Sequence, residues 1–305
     1  MIVPLFLASI INTFSPSLLR IGSFTTAVFS GEGSKTIIGL SLFFLGTSFK
    51  LKEAPEAIKR GSILLLTKLL AGGIIGIVVG KFFGQEGIFG ISTLAIISAA
   101  TNSNNSIYMA LVNEYGDDID IYAQSMLNFN TGPFFTLLII GSFGNASIPF
   151  SELIGVIIPI FIGMILGNLD KDIRNFFEKG ISMIIPFIGF CVGSTIDLRE
   201  IINGGINGII LGIIVLIGTG IPLIIIDKLI NRRPGYAGAA LSSTAGNAVA
   251  TPMVVGVIDS SFLPFVKAAT TQIAAAVITT IILTPLLTYL IVNIKNNKRV
   301  YINKL

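Results

Sequence analysis

Two short clusters of hydroxyl and amide side chains interrupt otherwise apolar stretches of this 305-residue chain. One occupies residues 98–106 (Ser-Ala-Ala-Thr-Asn-Ser-Asn-Asn-Ser), inside a run without charged residues from 87 to 113. The other occupies residues 242–247 (Ser-Ser-Thr-Ala-Gly-Asn), inside a similar run from 234 to 258. Each run is long enough to span a bilayer, where every unpaired polar group costs several kcal/mol. We therefore expect both clusters to line a cavity or a buried seam, where they can bind a polar solute or an ion.

The composition indicates an integral membrane protein. Hydrophobic residues make up 52% of the chain and charged residues 12%, whereas soluble domains carry about 25% charged residues. The single cysteine excludes an intramolecular disulfide and a cysteine-cluster metal site, and the absence of histidine excludes Ser-His-Asp chemistry and the common zinc sites. We therefore predict no enzyme, no metal and no other cofactor. The net charge of +4 needs no nucleic-acid partner, because the membrane topology accounts for it.

Charge-free apolar runs predict an all-α protein with ten transmembrane segments. Their approximate ranges are 2–19, 36–50, 62–83, 87–114, 120–143, 149–169, 180–196, 204–227, 235–257 and 264–293. Ser15 and Pro16 are expected to bend or end the first segment. With these spans, 14 basic residues lie on one side of the membrane, five on the other, and Lys68 within a span. The positive-inside rule then predicts a cell-membrane protein with both termini in the cytoplasm.

The two halves of the sequence resemble each other, which predicts an internal repeat. Residues 3–7 echo 158–162, residues 46–53 echo 193–200, and residues 98–102 echo 243–247. Five segments in each half place the second half, 146–305, in the opposite orientation to the first, 1–145. An inverted repeat with polar interruptions at matching positions is typical of secondary transporters.

At these residues the chain resembles the 2-keto-3-deoxygluconate permease family, within the wider group that includes bile-acid/sodium symporters. The similarity is carried by residues 12–16, 167–170, 185–188, 193–198, 220–229 (Gly-Ile-Pro-Leu-Ile-Ile-Ile-Asp-Lys-Leu) and 242–252 (Ser-Ser-Thr-Ala-Gly-Asn-Ala-Val-Ala-Thr-Pro), and it extends over nearly the whole chain. The resemblance implies a panel of spans 1, 2, 6 and 7 and a core of spans 3–5 and 8–10. It also implies that spans 4 and 9 break and cross, with the substrate between panel and core.

The resemblance implies a proton-coupled symporter that imports a small sugar-acid anion. The family pattern has an aspartate in the break of the fourth span, where this chain has Thr101, and a glutamate in the fifth span, where it has Asn130. Because both acidic groups are missing, the coupling ion stays open between H⁺ and Na⁺. The alternative is therefore a sodium-coupled carrier of another small carboxylate or polar solute.

The candidate site residues follow from the two interruptions. If helices 4 and 9 unwind near residues 101–105 and 245–248, the N-terminus of each second half-helix would suit a carboxylate, and Asn and Ser side chains would suit sugar hydroxyls or sodium. The candidate substrate-binding residues are Ser98, Thr101, Asn102, Ser103, Asn104, Asn105, Ser242, Ser243, Thr244 and Asn247, with Asn12 and Thr13 on the panel side. Candidate ion-coupling residues are Gln124, Asn128, Asn130, Thr131 and Gln272. The alternative for each is a structural hydrogen bond between helices or a helix cap.

Lys68 is the only charged residue well inside a predicted span. An intramembrane cation is costly and is usually paired or functional. Three interpretations are open: an ion pair with Asp227 at the end of the eighth span, attraction of the substrate anion, or a side chain that extends to the membrane surface.

Other functional classes fit the sequence less well. A membrane-embedded enzyme would lack an evident general acid or base. A passive channel would need a continuous polar pore, and a receptor or scaffold would not need duplicated interruptions.

Overall fold

Helices make up the secondary structure of the described part of the chain, apart from one isolated β-bridge between Ile88 and Ile91. The computed structural model describes residues 2–48, 55–130, 132–142, 150–194 and 198–302. The α-helices of the first half are α1 (Ile2–Phe14), α2 (Gly22–Phe29), α3 (Ser34–Thr47), α4 (Pro55–Phe83), α5 (Thr93–Ala100), α6 (Asn105–Tyr115), α7 (Asp118–Tyr122), α8 (Gln124–Leu127) and α9 (Phe134–Ser142). Those of the second half are α10 (Phe150–Leu169), α11 (Lys171–Glu178), α12 (Gly180–Gly193), α13 (Leu198–Leu229), α14 (Tyr236–Ala240), α15 (Thr251–Ile258) and α16 (Leu263–Ile302). Short 3-10 helices lie at Pro16–Arg20, Gly31–Gly33, Asn128–Asn130, Gly246–Ala250 and Ser260–Phe262.

Several of these helices have the length and surface of membrane-spanning segments. Four helical stretches of the described residues are long and apolar enough to cross a bilayer, namely Pro55–Phe83, Lys171–Gly193, Gly205–Leu229 and Ser260–Asn293. On α4, Leu66, Leu70 and Ile74 recur at four-residue spacing and are each more than half exposed. Residues at this spacing share one face of a helix, and that face suits contact with hydrocarbon.

The predicted first span ends where the sequence indicated, because α1 stops at Phe14 and a 3-10 helix begins at Pro16. The fourth predicted span is interrupted at residues 101–104, between α5 and α6, and the ninth at 241–245, between α14 and the 3-10 helix Gly246–Ala250. The fifth predicted span is not one helix, since α7, α8, a 3-10 helix and α9 share it. Gly132 explains one of these changes of direction, because its φ of 119° is unfavourable for other residues. Helix α2 was not predicted.

The helices pack in two groups. In one, α3 lies along α10 and α1 along α12; in the other, α13 packs on α16 and α4, and α5 packs on α4 and α16. Glycines bring α3 and α10 into backbone contact, since a methyl group at Gly46 would overlap the carbonyl group of Ile160 and one at Gly163 would overlap that of Phe43. Both interruptions lie in the group that contains α4, α5, α13 and α16, and they contact each other there.

Candidate functional site

The carboxyl end of α5 is completed by side chains rather than by further helix. The last four carbonyl groups of a helix have no partner within it. Asn102 donates its side-chain N–H to the carbonyl oxygen of Ser98 at 2.9 Å, and the hydroxyl of Thr244 donates to that of Ala99 at 2.7 Å. The second of these donors belongs to the other interruption. The end of α5 is therefore stabilised by the opposite half of the chain.

The contact between the interruptions is reciprocal. Ser103 donates its hydroxyl to the carbonyl oxygen of Leu241 at 3.2 Å, and the backbone N–H of Asn104 donates to the hydroxyl oxygen of Ser243 at 3.1 Å. Asn130 in turn donates its amide N–H to the hydroxyl of Ser103 at 2.9 Å. Ser103, Ser243 and Asn130 are all buried. The two polar clusters are thus one hydrogen-bonded crossing.

A second layer of bonds joins the first interruption to the start of α9. The hydroxyls of Thr101 and Thr136 lie 3.1 Å apart and share a hydrogen bond. Asn102 accepts the backbone N–H of Gly132 at its Oδ1 atom, at 2.9 Å. Thr101 and Asn102 are almost fully buried. These residues hold the crossing together in this conformation and are inaccessible to a solute.

The amino end of α6 is capped by the chain itself. Asn104 accepts the backbone N–H groups of Ser106 and Ile107 at its Oδ1 atom, at 3.1 and 3.2 Å. An Asn at this position satisfies N–H groups that the helix leaves unpaired. The expectation that free N–H groups of this half-helix would receive a carboxylate is therefore wrong for the two N–H groups that Asn104 caps.

Half-buried amides form a second cluster where the crossing meets α3. Asn105 and Gln124 donate their side-chain N–H groups to Oδ1 of Asn128 at 2.8 and 2.9 Å. Asn128 donates to the hydroxyl of Ser48, just after α3, at 3.2 Å. The buried Oε1 atom of Gln124 has no hydrogen-bond donor among the described residues. This amide cluster (Asn105, Gln124, Asn128 and Ser48) joins the two groups of helices.

The second polar cluster, residues 242–247, ends in an amide, Asn247, that follows the interruption. Asn247 is half-buried on the 3-10 helix Gly246–Ala250, which packs against α12. Its side chain makes no hydrogen bond to any other described residue.

The buried Oδ1 of Asn130 and the hydroxyl of Ser98 also lack partners within the described ranges. Ser242, in contrast, donates its hydroxyl to the nearby carbonyl oxygen of Ala239 at 2.7 Å.

Lys68, the charged residue inside a predicted span, hydrogen-bonds to uncharged groups. Lys68 is fully buried and donates its ammonium group to the hydroxyl of Thr219 at 2.9 Å and to the carbonyl oxygen of Ser243 at 3.0 Å. The ion pair proposed with Asp227 is not formed in the described part of the chain. The interpretation that Lys68 extends to the membrane surface is also wrong, because its side chain reaches the second interruption instead.

Asp227 is fully buried and has separate partners. Its carboxylate accepts the side-chain N–H of Asn231 at 3.0 Å and the backbone N–H of Gly238 at 3.3 Å. These bonds join the end of α13 to α14, which follows it after a short loop. Asp227 thus stabilises the helix that leads into the second interruption.

Some candidates lie apart from the crossing. Asn12 and Thr13 are on α1, which packs chiefly on α12, and Thr13 donates its hydroxyl to a carbonyl group of its own helix at 2.7 Å. Gln272 donates its amide N–H to the carbonyl oxygen of Gly90, before α5, at 2.8 Å, so that it ties α16 to this loop. Thr131 lies outside the described residues.

Comparison with known proteins identifies the family of this chain. A family model described as 2-keto-3-deoxygluconate permease matches residues 1–297. The chain belongs to the 2-keto-3-deoxygluconate permease family. A 2-keto-3-deoxygluconate permease 1 of Salmonella typhimurium is 47% identical over 288 residues, which cover 94% of this chain and 90% of the relative. Proteins named 2-keto-3-deoxygluconate permease from Enterobacter sp. and Escherichia coli are 40% and 38% identical, over 95% and 94% of this chain and 89% of each relative.

Membership of the permease family agrees with the apolar helices, and the chain is a multi-pass membrane protein. Permeases are transport proteins and not enzymes. Among the described residues, no group of three or more His, Cys, Asp or Glu side chains is placed to hold a metal ion.

The sequence reasoning missed an ion-pair network at one end of this permease. Arg60 at the start of α4 binds Asp117 and Asp120, each at 3.0 Å, and Arg233 binds the same carboxylates at 2.8 and 3.2 Å. Burial alone would raise the pKa of Asp117, but the backbone N–H of Asp120 and the two arginines lower it below its ordinary value. The network joins the two halves of the chain. Its only sequence signal is the acidic helix start at residues 117–120, which does not identify the arginines.

An apolar groove lies away from the crossing. It has a volume of about 470 Å³ and lies between α13 and α16, where Ile209, Ile213, Ile278 and Ile282 line it. An apolar groove on a membrane-facing surface suits a lipid chain better than a sugar acid. The half-buried amides beside the crossing remain the candidate binding site.

Proposed function

We propose that this chain is a secondary active transporter that imports a small sugar-acid anion, with 2-keto-3-deoxygluconate as the first candidate. The observation that carries the proposal is the hydrogen-bonded crossing of two interrupted helices, one from each half of a permease-family chain. Secondary transporters typically bind substrate at discontinuous helices near the middle of the membrane. The name of the relatives supplies the substrate.

The architecture we propose is ten transmembrane segments in two inverted repeats, residues 1–145 and 146–305. The packing of α1, α3, α10 and α12 in one group supports the panel, and that of α4, α5, α13 and α16 in the other supports the core. In this proposal the chain lies in the cell membrane with both termini in the cytoplasm. The ion-pair network of Arg60 and Arg233 would then lie on the cytoplasmic side, as the positive-inside rule expects.

The half-buried amides are the residues we assign to substrate contact. Asn105, Gln124, Asn128 and Asn247 lie where core helices meet α3 or α12, and their amides can pair with the hydroxyl groups of a sugar acid. The fully buried residues of the crossing do not contact substrate in this proposal; they hold the two interruptions in a fixed relative position. Lys68 supplies positive charge that favours an anion nearby.

Transport would follow from movement of the core against the panel. Thr101, Asn102, Ser103, Ser243 and Thr244 are almost fully buried, so the crossing can move as one body. The amide cluster bridges the two groups through the bond between Asn128 and Ser48. An inverted repeat provides two related conformations, open to opposite sides of the membrane.

A sodium-coupled carrier is the second candidate. It is favoured by buried oxygen atoms without a donor among the described residues, on Gln124 and Asn130, and by the amide and hydroxyl groups around them. Carboxyl, amide and carbonyl oxygens are the usual ligands of hard cations. Proton coupling is favoured by the family resemblance.

Uptake into proteoliposomes tests the transporter and separates the two candidates. Purified protein is reconstituted, and accumulation of labelled 2-keto-3-deoxygluconate is measured with a pH gradient alone, a sodium gradient alone, both, and neither. We expect accumulation above the no-gradient control under the pH gradient. Accumulation that requires sodium would support the second candidate. The absence of uptake under every gradient, together with uptake of a different carboxylate, would contradict the proposed substrate.

A further inference from the structure

We propose that Lys68 is the proton-carrying group of this transporter, and that its protonation controls the second interruption through the carbonyl group of Ser243. The inference deepens the proposed function and rests on it. The neutral residues Thr101 and Asn130 occupy the positions where acidic groups were expected, so they cannot carry a proton. Lys68 is a titratable group that contacts the crossing directly.

The geometry around the ammonium group fixes the direction of both hydrogen bonds. Thr219 donates its own hydroxyl hydrogen to the carbonyl oxygen of Val215 at 2.7 Å, so its oxygen accepts from Lys68. The carbonyl oxygen of Ser243 is also only an acceptor. A protonated amine has three N–H donors and a neutral amine has two. Both forms of Lys68 can therefore satisfy the two acceptors, and the site tolerates gain or loss of a proton.

The energetics favour a change of charge at this position. Lys68 is fully buried, and no described carboxylate pairs with it. A buried charge without a counter-ion is expensive, and loss of the proton removes that cost. The charged form has a compensating advantage, because hydrogen bonds from an ionised donor are roughly twice as strong as neutral ones.

The titratable groups on the helices around Lys68 are either absent or bonded elsewhere. Helices α5, α8 and α9, which contact α4, carry no titratable side chain. Asp227 on α13 is eight residues beyond Thr219, or about 12 Å along the helix. Asp120 of α7 is bound by two arginines, and the hydroxyl of Tyr108 donates to the backbone carbonyl of Asp120. Among the described residues, Lys68 hydrogen-bonds to the Thr219 hydroxyl and the Ser243 carbonyl oxygen, and neither of these groups is an acid or a base.

The carbonyl group of Ser243 links the charge to both interruptions. The hydroxyl of Ser243 accepts the backbone N–H of Asn104, and the next residue, Thr244, binds Ala99 and the hydroxyl of Thr280. Proton uptake adds one N–H bond at the lone pair of Lys68 and strengthens its bond to Ser243. Release of that proton to water on the other side of the membrane weakens the same bond. The substrate anion would thus cross together with one proton.

Hydrogen–deuterium exchange on the ligand-free protein tests the inference independently of the substrate. Exchange at the backbone N–H groups of Thr244 and Asn104 is measured at about pH 6 and about pH 9 and corrected for the rate in an unfolded peptide. We expect about tenfold stronger protection at the lower pH, which corresponds to ~1.4 kcal/mol for one charge-assisted bond. Lys68→Met and the permanently charged Lys68→Arg should abolish this pH dependence. Lys81→Met, at an exposed lysine of the same helix, should retain it.

Three results would overturn the inference: protection of the wild-type protein that does not change with pH, pH dependence that persists in Lys68→Met, or pH dependence that persists in Lys68→Arg. If the neutral variant does not fold, the Arg variant and the wild type still decide. In proteoliposomes, Lys68→Met should lose accumulation driven by a pH gradient, and Lys81→Met should keep it. A wild-type protein that accumulates no sugar acid would contradict the proposed function, whereas the exchange data would still decide the part of Lys68.

Discussion

Thr244→Val tests whether the two interruptions stabilise each other. Valine has nearly the shape of threonine but lacks the hydroxyl that donates to the carbonyl oxygen of Ala99 at 2.7 Å. Both residues are fully buried, and Ala99 lies in the last turn of α5, where no further helix supplies a donor. The substitution therefore leaves a buried carbonyl group unpaired, which costs about 1–3 kcal/mol.

The free energy of unfolding in mixed detergent micelles measures this cost. We expect Thr244→Val to unfold about 2 kcal/mol more easily than the wild type, and Thr244→Ser to lose less because it keeps the hydroxyl. Thr279→Val is the matched control, since Thr279 donates only to the carbonyl oxygen of Ala275 within its own helix. Its loss should stay within about 0.5 kcal/mol. Equal losses in Thr244→Val and Thr279→Val would refute a crossing held by reciprocal bonds.

Three further changes test other parts of the account. Asn247→Ala should lower the initial uptake rate about tenfold through the loss of one or two hydrogen bonds to substrate, whereas Asn113→Ala, on the exposed side of α6, should leave it unchanged. Because the pKa of Asp117 is lowered in the folded protein, the ionised carboxylate stabilises the fold above its unfolded pKa of about 4, and this contribution is lost as the pH falls through the lower folded value. Unfolding should become easier in that acidic range, and less so in Asp117→Asn. Gly46→Ala should destabilise the protein by roughly 1–3 kcal/mol because the added methyl group meets the backbone of α10. A methyl group added at Gly39, on the same helix, meets no heavy atom within 4 Å, so Gly39→Ala should be neutral.

The sequence predicted the features that depend on local composition. Charge-free runs located the long helices, and Pro16 marked the end of α1. The polar clusters located both interruptions, because hydroxyl and amide groups are excluded from lipid wherever they have no partner.

The partners of those groups could not be read from the sequence. Lys68 binds Ser243, 175 residues away, and Asn104 uses its side chain to cap its own helix. Hydrophobic patterns report which residues are buried but not which donor meets which acceptor. The same limit explains why Asp227 was paired with the wrong partner, and why the arginines that bind Asp117 were missed.

Protection from alkylation measures most directly whether substrate binds at the crossing. The chain has one cysteine, Cys191, which is buried and can be replaced by alanine to give a background without thiols. In that background, the alkylation rates of Asn247→Cys and of the control Asn113→Cys are compared with and without 2-keto-3-deoxygluconate. The account predicts that the sugar acid slows alkylation at position 247 and not at position 113. Equal rates at position 247 with and without a sugar acid that the same protein transports would contradict a binding site at the crossing.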